Sequence, residues 1–154
     1  GEAHGMQLFG SRAVESMRME KGYLHWKSDI ITEFDPSETG LDRFVKMDKE
    51  FIGKPALLQR QAKGPGKRLV TLVLDTALAP AHGGASVMVG DRVVGTVTSG
   101  DWGHRTGLNL AYAFVEPELA TIGTELSVDV IGIEVAARVV TAGPYDPDMI
   151  LPRA

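Results

Sequence analysis

The stretch Lys63-Gly-Pro-Gly-Lys-Arg-Leu-Val-Thr-Leu-Val-Leu-Asp75 decides how this chain is organised. Proline and two glycines fall within residues 63–67, and such a run is costly inside any helix or strand, so it predicts a boundary. After this boundary the apolar period becomes two, which is the pattern of a strand that faces a core on one side. We therefore predict two parts, residues 1–63 and residues 68–147.

The second part has the pattern of an all-β unit. Gly90-Asp91 and Ile131-Gly132 predict tight reversals, and the glycines around Trp102 predict that this side chain lies on a connection, 101–107, rather than in the core. Lone two-stranded ribbons cannot bury both faces, so several strands in series predict a small antiparallel barrel or sandwich. Alternation predicts six strands, over 68–75, 86–89, 92–98, 108–115, 125–131 and 133–140.

The first part is predicted to mix helix and strand. Alternating side chains predict strands over 16–21 and 42–48, with Phe44 directed toward the core. Pro55 is preset for a first helical turn and predicts a helix over 56–62. The fold class that follows is an α+β N-terminal segment before an all-β unit.

Composition and charge exclude several classes of protein. The 154 residues carry a net charge of −4, are 44% apolar and include no cysteine, so disulfides, thiolate metal sites and cysteine nucleophiles are excluded. No apolar run approaches the length of a membrane span and no secretory signal opens the chain, so we expect no membrane association and a cytoplasmic location. No lysine follows Lys67, which argues against the dense basic face that nucleic acid requires.

Histidine and serine patterns indicate neither a metal site nor a catalytic nucleophile. The histidines lie at positions 4, 25, 82 and 104, without the spacing of a helical metal pair or a nearby carboxylate cluster. Ser99 lacks the flanking residues of a nucleophile elbow. We therefore predict no metal ligand and no catalytic residue in this chain.

A carboxylate and two large aromatic side chains lie close together in sequence, at Glu20, Tyr23 and Trp26. A carboxylate accepts two parallel hydrogen bonds from an amino-heterocycle, and the aromatic rings offer flat apolar faces. This combination predicts a pocket for a flat heteroaromatic ligand. The alternative is that both rings are half-buried packing residues and that Glu20 pairs with Arg18 or Lys21 in solvent.

Several short motifs, in order and at matching spacing, resemble the glycine cleavage T-protein family of tetrahydrofolate-dependent aminomethyltransferases. The Glu-Lys-Gly-Tyr-x-His-Trp form is most similar to the folate-binding half of dimethylglycine and sarcosine dehydrogenases. The resemblance implies an antiparallel Greek-key barrel for the second part. The motifs are Met17-Arg-Met-Glu-Lys-Gly-Tyr23, Pro36-x-Glu-x-Gly-Leu41, Lys49-x-Phe-Ile-Gly-Lys-x-Ala-Leu57, Gly95-Thr-Val-Thr-Ser-Gly100 and Tyr145-Asp-Pro147.

The resemblance also implies roles for four residues. Glu20 matches the glutamate that holds the pterin ring of the folate, and Tyr23 and Trp26 match aromatic positions along the folate channel. Lys49 lies near a position that is an arginine in the T protein, so a point charge replaces a bidentate group there.

The family's catalytic aspartate has no counterpart in this chain, which begins at Gly1 rather than at methionine. We therefore expect a piece of a longer protein, part of an enzyme but inactive in isolation, whose missing N-terminal domains complete the site. Its ligands would be tetrahydrofolate and a small amine-derived one-carbon donor. Whether an FAD domain lies upstream stays open. The alternatives are a non-catalytic β-barrel docking module and a folate-dependent demethylase or repair-type paralogue.

Overall fold

A closed six-stranded antiparallel barrel forms the main body of the protein, whose computed structural model describes residues 1–153. Around the barrel the strands follow the order β1-β4-β3-β2-β5-β6, and β6 pairs with β1 to close it. Since β1 lies beside β4 rather than β2, the first four strands form a Greek key. The strands are β1 Arg68–Leu74, β2 Ser86–Val89, β3 Arg92–Gly103, β4 Leu108–Val115, β5 Glu125–Val130 and β6 Ile133–Val140.

The barrel core follows from the period-two pattern that the sequence shows. On β4, Ala111, Ala113 and Val115 face the interior and pack with valines and leucines of the other strands. Leu110 and Tyr112 alternate with them and face the N-terminal segment, where they pack against Met19. β4 is therefore buried on both faces, and the prediction of a six-stranded antiparallel barrel is confirmed.

The N-terminal segment contains two helices, α1 Ser11–Glu20 and α2 Lys54–Lys63. The predicted strand over 16–21 is wrong, because residues 16–20 form the second half of α1 and Lys21 follows its last residue. Met17 and Met19 lie about 200° apart on a helix, and accordingly Met19 is buried while Met17 is exposed. The buried residues Ser16, Met19 and Glu20 are three and four positions apart, which is the spacing of one face of a helix.

The predicted strand over 42–48 is also wrong. A short 3-10 turn, Asp42–Phe44, occupies its first half, and Phe44 is exposed rather than directed toward the core. The helix predicted after Pro55 is confirmed as α2, with the proline in its first turn. Within residues 1–153, neither helix nor any other is both long enough and apolar enough to cross a bilayer.

Strand β3 continues five residues beyond its predicted end, so Trp102 lies on a strand and the prediction that it lies on a connection is wrong. Gly100, two residues before Trp102, permits close backbone packing rather than a turn. A Cβ added at Gly100 would lie 2.2 Å from the carbonyl oxygen of Ala81. A register shift between Val97 and Ser99 lets the strand bend around this contact.

Candidate functional site

Glu20 is the last residue of α1, and the residue is only 2% exposed. Its Oε1 accepts hydrogen bonds from the backbone N–H of Arg105 at 2.7 Å, from that of Thr106 at 2.7 Å, and from Thr106 Oγ1 at 3.0 Å. All three donors belong to the β3–β4 connection. The helix end and the barrel therefore meet at this carboxylate.

The second oxygen, Oε2, accepts no hydrogen bond from any residue that the structure describes. In the same residues, Asn109 Oδ1 is the one fully buried side-chain polar atom without a partner, so Glu20 Oε2 keeps a small accessible surface. One oxygen is thus held by the protein while the other remains available as an acceptor for a ligand.

Helix α1 is fixed on the barrel on both sides of Glu20. The Tyr112 hydroxyl donates a hydrogen bond to the carbonyl of Met19 at 2.9 Å, and Ser16 Oγ donates to the carbonyl of Trp102. The backbone N–H of Tyr145, in the C-terminal segment, donates to the carbonyl of Glu20 at 2.9 Å. The backbone at Glu20 is therefore anchored to three separate parts of the chain.

A buried ion pair anchors the last turn of α1. Asp29 is fully buried, and its Oδ2 accepts from Arg18 Nη1 at 2.7 Å and from the backbone N–H of His25 at 2.8 Å. Its Oδ1 accepts from the hydroxyls of Thr98 and Ser99, both on β3. This carboxylate consequently connects the helix, the following loop and the barrel.

Charges around this pair shift the ionisation of two neighbours. Burial lowers the pKa of Arg18, but the hydrogen bond to Glu15 and the charges of Asp29 and Glu15 outweigh that effect, so the pKa of Arg18 is raised. Burial raises the pKa of Tyr112, with Arg18 lowering it and Asp29 raising it. Both groups keep their protons at neutral pH and remain hydrogen-bond donors.

Two cations, Lys21 and Arg105, lie close to the ring of Tyr145. Lys21 Nζ lies 5.8 Å and the Arg105 guanidinium carbon 6.0 Å from the centre of the Tyr145 ring. Lys21 also forms an ion pair with Asp146 at 3.2 Å. The predicted alternative, in which Glu20 pairs with Arg18 or Lys21 in solvent, is therefore wrong, since both cations have other partners.

The other residues predicted for the site lie on the surface. Tyr23 is 53% and Trp26 62% exposed, so neither is the half-buried packing residue of the alternative reading, and Tyr23 Oη contacts the Met149 sulfur at 3.9 Å. Lys49 is exposed. Within residues 1–153 no hydrogen bond or ion pair joins these three side chains to Glu20, so the roles predicted for them stay predictions.

No residue pattern predicts the loop that holds Glu20. Two of the three donors are backbone N–H groups, which every residue except proline carries, so residue type cannot reveal them. Gly103 is the one residue whose type reflects this packing, because a Cβ there would lie 2.9 Å from Glu20 Oε1.

A separate cavity of about 1080 Å³ lies at one end of the barrel. Trp102 and Asn109 line it, and Glu20 is not among its lining residues. These two residues are paired across β3 and β4, so their side chains point to the same side of the sheet. Trp102 therefore partly covers a barrel end, and this cavity is distinct from the Glu20 site.

Comparison with known protein families gives matches to both parts of the chain. The model of the glycine cleavage T-protein C-terminal barrel domain matches residues 67–146, and that of the GCVT N-terminal domain matches residues 1–49. The first match alone spans more than half of the chain.

Curated relatives and a solved structure agree with these matches. The chain is 36% identical over 142 residues to mitochondrial dimethylglycine dehydrogenase of Rattus norvegicus, covering 91% of this chain and 17% of that protein. It is 34% identical over 156 residues to a probable aminomethyltransferase of Thermococcus gammatolerans, covering 96% and 39%. The glycine cleavage system aminomethyltransferase T from Bartonella henselae superposes with a TM-score of 0.82 at 27% identity, covering 88% and 38%. The chain thus spans well under half the length of each.

Proposed function

This chain belongs to the glycine cleavage T-protein family, and we propose that it is the C-terminal part of a tetrahydrofolate-dependent one-carbon transfer module. In this proposal the module forms part of a dimethylglycine or sarcosine dehydrogenase-like enzyme, in which an upstream domain binds FAD. The rat relative, named as a dimethylglycine dehydrogenase, supports that choice over a stand-alone transferase.

The observation that carries the proposal is the asymmetry of the Glu20 carboxylate. Oε1 is saturated by three donors from the protein, whereas Oε2 accepts none from the described residues and keeps a small accessible surface. The pterin ring presents N–H donors along one edge, and a fixed carboxylate oxygen is a suitable acceptor for them. The Glu20 oxygen that lacks a partner within residues 1–153 is therefore an acceptor that fits the N–H donors of the folate that the family resemblance implies.

The other three side chains predicted for the site have supporting roles in this proposal. Tyr23 and Trp26 offer flat surfaces that remain uncovered within residues 1–153, and in the intact protein they would border the folate channel. Lys49 is exposed and would provide a point charge for the folate rather than a bidentate contact.

The residues of this chain bind and orient the folate in the proposed reaction, and they do not transfer a proton. Bound tetrahydrofolate would supply the nitrogen that accepts the one-carbon unit from a small amine-derived donor. Chemistry at that nitrogen needs a positioned acid or base, which the resemblance assigns to a region upstream of Gly1. Glu20 would fix the pterin so that the reacting nitrogen faces that region.

Titration calorimetry with tetrahydrofolate tests the proposal. We expect binding by the longer polypeptide that contains this segment, and weak or no binding by the 154-residue chain, because losing most ligand contacts costs tenfold in affinity for every 1.4 kcal/mol or so. Micromolar binding by the isolated chain would contradict a site completed from upstream. An absence of binding by the longer polypeptide would favour a non-catalytic docking module.

A further inference from the structure

We infer that the barrel loop Gly103–Thr106 positions the folate-binding glutamate, with Thr106 as the positioning residue. This inference rests on the proposed function, and it assigns the barrel a part in ligand recognition. The sequence alone left open that the barrel is a non-catalytic docking module. The geometry around Glu20 instead makes one of its loops part of the binding site.

Thr106 contributes two of the three hydrogen bonds to Glu20 Oε1. Its backbone N–H donates at 2.7 Å and its hydroxyl at 3.0 Å. A glutamate side chain has three rotatable bonds, and fixing them costs conformational entropy. The loop orders the glutamate side chain before a ligand binds, so ligand binding does not have to offset this loss of entropy. Oε2 is thereby held at a defined position for a donor of the ligand.

The loop is itself held rigidly enough to act in this way. The backbone N–H of Gly107 donates to the Gly103 carbonyl at 2.8 Å, and Gly103 pairs with Leu108 at the end of the β3–β4 ladder. The Thr106 hydroxyl lies 3.3 Å from the same carbonyl. The position of the donors is therefore determined by the barrel strands.

Gly103 permits the close approach between loop and glutamate. A Cβ added at this position would lie 2.4 Å from Thr106 Oγ1 and 2.9 Å from both Glu20 Cγ and Oε1. No other residue type fits between them without displacing the carboxylate or the hydroxyl. This close packing is a second observation that the loop is shaped around Glu20.

Folate affinity of the longer polypeptide, measured for threonine variants, tests the inference. Thr106→Val removes the hydroxyl at nearly constant volume, and we expect about tenfold weaker binding. Thr106→Ser restores the donor and should bind within about twofold of the wild type. Thr121→Val, at an exposed threonine, is the matched control and should leave affinity unchanged.

Combining Thr106→Val with Glu20→Gln distinguishes a role of Thr106 in positioning Glu20 from an independent effect of Thr106 on the stability of the protein. If Thr106 acts through Glu20, the double variant should bind no more weakly than Glu20→Gln alone. Additive losses would overturn the inference. Should Thr106→Val not fold, Thr106→Ala provides the same comparison.

The remaining outcomes separate this inference from the proposed function. In one outcome the wild type binds folate, Glu20→Gln weakens the binding and Thr106→Val leaves it unchanged. This outcome would overturn the positioning role and leave the proposed function intact. No wild-type binding would overturn both. The amide signals of Arg105 and Thr106 in the 154-residue chain give a readout without folate, since both should move when Glu20 is replaced by alanine, and unchanged signals would contradict the contact.

Discussion

Arg18 and Asp29 form a buried ion pair in which Nη1 and Oδ2 are 2.7 Å apart. The aspartate is fully buried and the arginine side chain is 10% exposed. Because Asp29 also accepts hydrogen bonds from Thr98 and Ser99 of β3, the pair joins α1 to the barrel. The placement of Glu20, two residues after Arg18, depends on this junction.

Asp29→Asn should destabilise the fold strongly. The amide offers donors where four donors already converge, and it leaves Arg18 without its buried counter-charge, so we expect a loss of about 3 kcal/mol in the free energy of unfolding. Urea unfolding measures it. Glu116→Gln, which weakens an exposed pair with Arg92, is the control and should have no measurable effect. Equal effects of the two changes would contradict the importance of the buried pair.

Tyr112 predicts a loss of stability at alkaline pH. Burial raises its folded pKa above the ordinary value of 10.0, so the unfolded chain loses the proton first. The stabilisation is therefore complete below about pH 10 and is lost as the pH rises through the folded pKa. Urea unfolding between about pH 8 and pH 11 should show a shallower decline for Tyr112→Phe. Identical slopes would show that this hydroxyl is not the responsible group.

Gly100→Ala should destabilise the barrel, whereas Gly53→Ala should not. The new Cβ at Gly100 would lie 2.2 Å from a backbone oxygen, while at Gly53 the nearest atom is at 4.0 Å. Overpacking against a backbone that cannot move costs about 1–3 kcal/mol. Thermal unfolding of both variants provides the comparison, and a wild-type melting temperature for Gly100→Ala would refute the close approach of β3 to Ala81.

The two tryptophans should differ in their accessibility to a quencher. Trp26 is 62% exposed, whereas Trp102 is partly buried at the barrel end. Acrylamide should therefore quench Trp102, measured in a Trp26→Phe background, less than Trp26 in a Trp102→Phe background. Emission from Trp102 should also lie at shorter wavelength. Equal quenching would mean that Trp102 does not cover the barrel end.

The barrel was predictable from the sequence because its strands alternate cleanly between interior and exterior. The predicted bounds of β2, β4 and β6 are those of the structure. The end of β3 was not predictable, because glycines such as Gly100 and Gly103 are typical of turns. Their role in the strand depends on packing against distant atoms, the Ala81 carbonyl and Glu20. Local composition cannot show contacts made across the fold.

Helix α1 and the surroundings of Glu20 were the harder part. Over a few residues, the alternation of side chains around Met17 and Met19 is compatible with a strand. The helix is favoured by packing of Met19 against Leu110 and Tyr112 of β4, which the local sequence does not show. Glu20 was singled out for its chemistry and by resemblance. The donors that hold it could not be predicted, because two of the three are backbone groups, 85 and 86 residues away.

Folate recognition by Glu20 is tested most sharply by the structure of the longer polypeptide with tetrahydrofolate bound. We predict that Glu20 Oε2 lies within about 2.6–3.2 Å of a pterin nitrogen, while Oε1 keeps its contacts with Arg105 and Thr106. A pterin ring bound elsewhere, with Glu20 in contact only with the barrel loop, would contradict the assignment of this carboxylate to folate recognition.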